Sequence, residues 1–377
     1  MSSVSVLPQA GHGAVRNATF LEFEKPLARI ERQIEELESI QVASGRDHSD
    51  MIRTIRSQLA AARRKIFARL TAWETVQVAR HPGRPLLPTY IDLIVRDFCE
   101  LRGDRSFRDD RALITGFGRL AGHKVMIIGH NKGRDTKERI ENNFGMPHPE
   151  GYRKALHKMR LAEKFRVPVV CLIDTAGAYP GIGSEERGIA QAIAVNLLEM
   201  SRLRTPIICV VLGEGGSGGA LGIGVGDRVA ILEHAYYSVI SPEGCAAILW
   251  KSGEYAADAA KALKLTSRDL KKLRLVDGVI REPLGGAHRD PLAAAQAVGK
   301  FVGDCLRDLK RVRIDTLLRR RYRRLRELGS FFEEAAPLPE QAKSRAPRRA
   351  PAGRPAAAAT AAAPVSAEPT RLVAAPA

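Results

Sequence analysis

The residue types that could do chemistry in this sequence cluster in two glycine-rich turns. Residues 213–224 read GEGGSGGALGIG, with seven glycines in twelve positions, directly after the apolar run 206–212. Residues 174–183 read DTAGAYPGIG and follow a second apolar run, 167–173. Three chemistries fit the first turn. Gly213, Gly215 and Gly218 satisfy G-x-G-x-x-G, and Glu233 stands twenty residues after Gly213, which is the dinucleotide arrangement. Gly215, Ser217 and Gly219 satisfy G-x-S-x-G, with Ser217 as a nucleophile that needs an acid (Asp258, Asp269 or Asp277) and then His288. The third needs only backbone. Successive glycines at a strand-to-helix turn let main-chain N–H groups converge on an anion, and removing one such donor typically costs on the order of 3 kcal/mol of transition-state stabilisation. The bland alternative is a close helix-to-sheet contact that excludes side chains. For Asp174 it is a loop cap, and for Tyr179 a packed ring.

Two such turns on neighbouring strands would line one crevice, beyond the carboxyl ends of an open α/β sheet. The flanking elements must place them there. Phe23, Leu27, Ile30, Ile34 and Leu37 recur at spacings of four and three. After a polar break at residues 43–50 the pattern resumes at Ile52, Ile55, Leu59, Ala62 and Ile66. This predicts a helical hairpin whose second arm ends before His81-Pro82-Gly83-Arg84-Pro85. Thr89 to Asp92 fits a capping box ahead of a short helix carrying Ile94, Val95 and Phe98. Residues 112–120 and 124–128 read as strands joined at Ala121-Gly122. Tyr152, Leu156, Met159 and Phe165 mark a helix face, and the continuously apolar runs 167–173 and 206–212 read as buried strands. Ser184 with Glu185 and Glu186 suits a helix start, with Ile189, Ile193, Leu197 and Met200 as its buried stripe. Strands at 229–232 and 236–240, then a helix opened by Ser241-Pro242, continue the alternation. Leu292, Ala295, Val298, Val302, Cys305 and Leu309 mark the last clear helix. A basic run through Arg319, Arg320, Arg321, Arg323, Arg324 and Arg326 follows, then an Ala/Pro-rich tail read as disordered.

A formal charge of +18 and a pI near 10.0 favour anionic partners without choosing among nucleic acid, lipid and phosphorylated metabolite. The five cysteines, Cys99, Cys171, Cys209, Cys245 and Cys305, include no C-x-x-C pair. They therefore read as buried thiols of a reducing compartment, without disulfide framework or metal site. No secretory leader or membrane-length apolar run is recognisable, so a cytoplasmic protein is expected, with no membrane partner.

In order along the chain stand NFGMPHPEGYRK (Asn143 to Lys154), DTAGAYPG from Asp174, GEGGSGGAL from Gly213, SPEGCA from Ser241 and EPLGGAH from Glu282. This series resembles the alpha subunits of the multisubunit, bacterial and plastid-type acetyl-coenzyme A carboxylase carboxyltransferase. The likeness runs from about Phe20 to about Tyr322; Ala176 stands where that family usually has proline. The resemblance implies an α/β, crotonase-like (ClpP/crotonase superfamily) carboxyltransferase domain with an N-terminal helical hairpin. It implies carboxyl transfer from carboxybiotin, held on a separate biotin carboxyl carrier protein, to acetyl-coenzyme A, giving malonyl-coenzyme A for fatty acid biosynthesis. A zinc-ribbon beta subunit completes the site, a biotin carboxylase is a further partner, and an alpha2beta2 heterotetramer is expected. By motif position the amides of Gly218 and Gly219 form the biotin-side oxyanion hole, with Gly215, Gly216, Ala220, Gly177 and Tyr179 beside it. Arg153 and Lys154 are candidate coenzyme A phosphate contacts. The chain has neither an Ala-Met-Lys-Met biotin attachment sequence nor a P-loop, as suits one subunit of an ATP-dependent complex. The expected organisation is a lead-in (1–19), the hairpin (20–80), the carboxyltransferase domain (81–310), a basic helical extension (311–334) and the tail (335–377). For the basic run a solvated or phosphate-attracting face is expected rather than nucleic-acid binding.

Overall fold

The computed structural model describes residues 19–329; all but the last residue of the expected lead-in (1–19), residues 330–334 of the expected basic extension and the whole expected tail lie outside them. Eight strands form one sheet: β1 (Val95–Glu100), β2 (Leu113–Leu120), β3 (His123–His130), β4 (Val169–Thr175), β5 (Ile207–Gly216), β6 (Arg228–Leu232), β7 (Tyr236–Ser238) and β8 (Gly278–Ile280). The spatial order is β1-β2-β3-β4-β5-β6-β8, with β7 added alongside β5. The first three strands are antiparallel, and Ala121 (φ 47°) with Gly122 (φ 80°) makes the left-handed two-residue turn that the β2–β3 hairpin requires. From β3 onward every pairing is parallel. Helices cover both faces, so β4 and β5 are buried along their whole length, which explains their unbroken apolar runs.

The N-terminal helices Lys25–Ser44 and Ser49–Phe67 pack through Leu27, Ile34, Ile52 and Leu59. The second arm does not continue to residue 80. Thr71 accepts the Glu74 N–H, while Glu74 reaches back to the Thr71 N–H, and this reciprocal cap starts a separate helix, Ala72–Ala79. The helix expected to start at Thr89 is Leu87–Ile94, begun by Pro88, and Val95 and Phe98 belong to β1. Ser184 lies inside a short helix, Ile182–Glu186, which Gly188 (φ 76°) separates from Ile189–Arg202. Phe165 is the exposed C-cap of helix Pro149–Lys164 rather than part of its buried face, and Leu292 is half exposed. Cys99 is exposed; the other four cysteines are buried.

Helix Pro291–Leu309 is followed by a further helix, Ile314–Arg326, which corrects the reading of the basic run as wholly solvated. Arg321 is 1% exposed. Its guanidinium holds both carboxylate oxygens of Asp227 (2.8 and 2.7 Å) and the carbonyls of Met200, Leu203 and Thr205, so all five N–H donors are used. Asp227 in turn accepts the Ile207 N–H that opens β5. Arg319, Arg320 and Arg323 do face solvent. Replacing Arg321 with Leu strands the Asp227 charge in the interior, and urea unfolding should show a loss of about 3 to 5 kcal/mol. Tyr322→Ala, on the exposed side, should change stability by less than about 0.5 kcal/mol.

Candidate active site

Strands β4 and β5 stay in register from Val169 opposite Ile207 to Ile173 opposite Val211, and then the pairing slips so that Thr175 faces Gly215. Inside the slip, Asp174 Oδ1 accepts the Glu214 N–H at 2.8 Å. Gly213 permits this, because a Cβ there would stand 2.7 Å from the same Oδ1. Lys132, just past the end of β3, places its Nζ 2.7 Å from Asp174 and 2.5 Å from Glu214. Glu214 also receives Arg80 Nε (2.6 Å) and the Tyr236 hydroxyl (2.8 Å). Burial alone would raise the Glu214 pKa, but the Lys132 and Arg80 charges outweigh it and hold the carboxyl at about 2. The same two carboxylates keep Lys132 above its ordinary range against the cost of its burial.

Beyond this knot the two glycine turns meet backbone to backbone. A Cβ on Gly216 would stand 2.0 Å from the Ala176 carbonyl oxygen, and one on Gly219 would stand 2.2 Å from the Gly177 carbonyl carbon. Residues 213–216 are therefore the end of β5 and not a turn; the turn itself is Ser217, at φ 52°. It leads into the short helix Ser217–Leu221, whose first-turn amides at Gly218 and Gly219 have no acceptor four residues back within the helix. The planar peptide fixes the direction of the Gly219 amide. The Gly218 carbonyl is held by the Gly222 N–H (2.9 Å), which turns the Gly219 N–H the opposite way. Likewise the buried Tyr152 hydroxyl donates to the Gly219 carbonyl at 3.1 Å, which sets the Ala220 N–H. Ser217 and Gly218 open onto an apolar cavity of about 340 Å³, lined by Leu221, Tyr237, Leu270 and Leu328 among others.

Tyr179 lies at the other end of the first turn, its ring 4.4 Å from that of His148. His148 Nδ1 meets Ser184 Oγ at 2.7 Å, and burial, with Arg187, keeps the imidazole below its ordinary range despite Glu150. Gly177 and Tyr179 thus fall in the turn after β4, Gly215 and Gly216 at the end of β5, and Gly218, Gly219 and Ala220 in the short helix that follows. Arg153 and Lys154 do not join them. Lys154 is 1% exposed, bonded to Asp109 (2.7 Å) and the Asp110 carbonyl (2.6 Å), and Arg153 is bonded to Asp104 (3.0 Å) and the Arg187 carbonyl (3.2 Å). A helix in the middle of a sequence gives no sign of which basic residues are buried by neighbouring loops. Lys132, Arg80 and Tyr236 went unpredicted because each is a lone polar residue beside an element end.

The competing chemistries find no support. Gly213 and Gly215 are strand residues, and Glu233 accepts the Glu282 N–H (3.3 Å). His288, the hydrolase candidate, is stacked on His81 at 3.9 Å in the seam under the hairpin, while Asp277 holds Arg324. Glu24, His81 and His288 form the only metal-like cluster found among the described residues. Both His81 nitrogens are already used, by the Gly83 N–H and the Thr19 carbonyl.

A family model described as acetyl co-enzyme A carboxylase carboxyltransferase-like matches residues 20–329. The chain is 55% identical over 318 residues to the acetyl-coenzyme A carboxylase carboxyl transferase subunit alpha of Thiobacillus denitrificans, covering 84% of this chain and 99% of that one. With the subunit of the same name from Rhodopirellula baltica the identity is 54% over 315 residues, covering 84% and 98%. Among solved structures, the hexameric transcarboxylase 12S core with methylmalonyl-coenzyme A and methylmalonic acid bound superposes with a TM-score of 0.50 at 21% identity. That match covers 61% of this chain and 42% of the other, less than half its length, and shows the crotonase-like carboxyltransferase fold.

Glu214 binds its proton more weakly folded, at about 2, than at its ordinary value of 4.5, so its contribution to stability is complete above about pH 4.5 and is lost as the pH falls toward 2. Urea unfolding followed across that window should show the acid limb becoming shallower in Glu214→Gln than in the unaltered protein.

Proposed function

The chain belongs to the family of acetyl-coenzyme A carboxylase carboxyltransferase alpha subunits, and from that premise we propose that the amides of Gly218 and Gly219 are its oxyanion hole on the biotin side. As an alpha subunit it is a transferase chain, serving carboxyl transfer to acetyl-coenzyme A. The donor in this reading is carboxybiotin on a separate carrier protein, recharged by a biotin carboxylase. A zinc-ribbon beta subunit brings the second hole, in an alpha2beta2 assembly in the cytoplasm. No helix of the described residues is long and apolar enough to cross a membrane.

The observation that carries the hole assignment is the pair of first-turn amides that no carbonyl within the helix serves, with Gly218 on the wall of an apolar cavity of about 340 Å³. The site suits a compact apolar ring system bearing one oxygen that must carry charge. Carboxybiotin, when bound, supplies the carboxyl group and a ureido oxygen on which negative charge develops. The chain's own part is to hold two N–H dipoles in fixed directions where that charge appears. They need little reorganisation at the moment of reaction. Ser217 presents no base within hydrogen-bonding distance among the described residues, so its hydroxyl is not asked to act as a nucleophile.

Co-expression with a zinc-ribbon beta chain should give carboxylation of acetyl-coenzyme A from a biotin donor, and the isolated alpha chain should not turn over an enoyl-coenzyme A. Gly219→Ala should lower kcat by roughly 10²- to 10³-fold with the complex intact on gel filtration, because its Cβ would displace the Gly177 backbone. The control is Gly253→Ala, where nothing lies within 4 Å. Unchanged turnover in Gly219→Ala would sink the assignment.

A further inference from the structure

Lys132 has no part in the chemistry described so far, yet its ammonium sits where the two glycine turns begin. Asp174 and Glu214 stand near the ends of β4 and β5, just before the two turns, and Lys132 Nζ bonds both, at 2.7 and 2.5 Å. Its side chain is 17% exposed, and those of Asp174 and Glu214 are 5% and 9% exposed. Two buried carboxylates so close would repel each other without a cation between them. Arg80 does not replace Lys132, because it bonds Glu214 from the far side together with Glu243 and leaves Asp174 untouched.

We propose that Lys132 is a positioning residue for carboxyl transfer, setting the distance between the two turns and thereby the aim of the Gly218 and Gly219 amides. The inference rests on the hole assignment above. The path is short: Glu214 is followed by Gly215 and Gly216, and Gly216 and Gly219 lie against Ala176 and Gly177 with no side chain to absorb a shift. A displacement of Asp174 relative to Glu214 therefore reaches the amides undamped. A misplacement of about 1 Å can cost on the order of 10²-fold in rate.

The test uses the complex with the beta chain. Lys132→Met should lower kcat by roughly 10- to 100-fold, with KM for acetyl-coenzyme A and the gel-filtration profile unchanged, and Lys132→Arg should restore part of the rate. The decisive readout is a double-mutant cycle on residual activity. If Lys132 acts through the hole, Lys132→Met should cost little more once Gly219→Ala has already spoiled it. An equal loss in both backgrounds or a raised KM would overturn the proposal in favour of a merely structural role. Should Lys132→Met fail to assemble, Asp174→Asn takes its place in the same cycle, and the same outcomes decide. Full activity in Gly219→Ala would refute the hole itself, whereas an impaired Gly219→Ala beside an unaffected Lys132→Met would refute only the clamp.

Discussion

Everything around the candidate site depends on one break in a parallel ladder, the slip between β4 and β5 after Ile173 and Val211. A slip in a buried sheet costs free energy unless the displaced groups find partners. Here the Asp174 carboxylate takes the Glu214 amide, and Lys132 neutralises the two acids that the slip brings together. Because the ladder breaks there, β5 can leave β6 and continue beside β7, carrying the glycine segment out past the edge of the core. Close approach of the two turns then requires glycine at 216 and 219, since any Cβ would fall on the opposing backbone.

The parts of this arrangement that repeat with a period were legible in the sequence. Continuous apolar runs gave β4 and β5, and Ala121-Gly122 gave the β2–β3 hairpin. The alternation of strands and helices gave an α/β sheet. Glycine defeated the same reasoning at residues 213–216, because residues without side chains show neither alternation nor helical spacing, and a strand end looked like a turn. Caps competed with one another in similar fashion. The Thr71–Glu74 pair ended one arm of the hairpin early, while the apparent box at Thr89 lost to Pro88 one residue before it. Motif order placed the glycines of the site together, but the charged residues that hold them were single letters with no pattern around them.

The large positive charge also changes meaning once the chain is folded. Arg84 lies against Glu282 with both side chains almost wholly buried, and Arg321 with Asp227 is similarly enclosed. These cations fasten segments to the sheet: Arg84 bonds the Leu212 carbonyl next to the slip, and Arg321 bonds carbonyls in the last turn of helix Ile189–Arg202 (Met200) and in the link from it to β5 (Leu203 and Thr205). A count of basic residues therefore overstates what the surface offers an anionic partner.

The hydroxyl of Tyr152 that grips the Gly219 carbonyl has a further consequence. Burial drives its pKa well above the ordinary tyrosine range, so it remains a proton donor at neutral pH. The other fixed point of the short helix is an amide, which does not ionise. That end of the short helix is thus anchored by groups whose protonation does not change near neutral pH, and any acid sensitivity of the turn lies with Glu214 at the other end instead. The turn is pinned twice, by an ionic knot at one end and by a neutral clasp at the other.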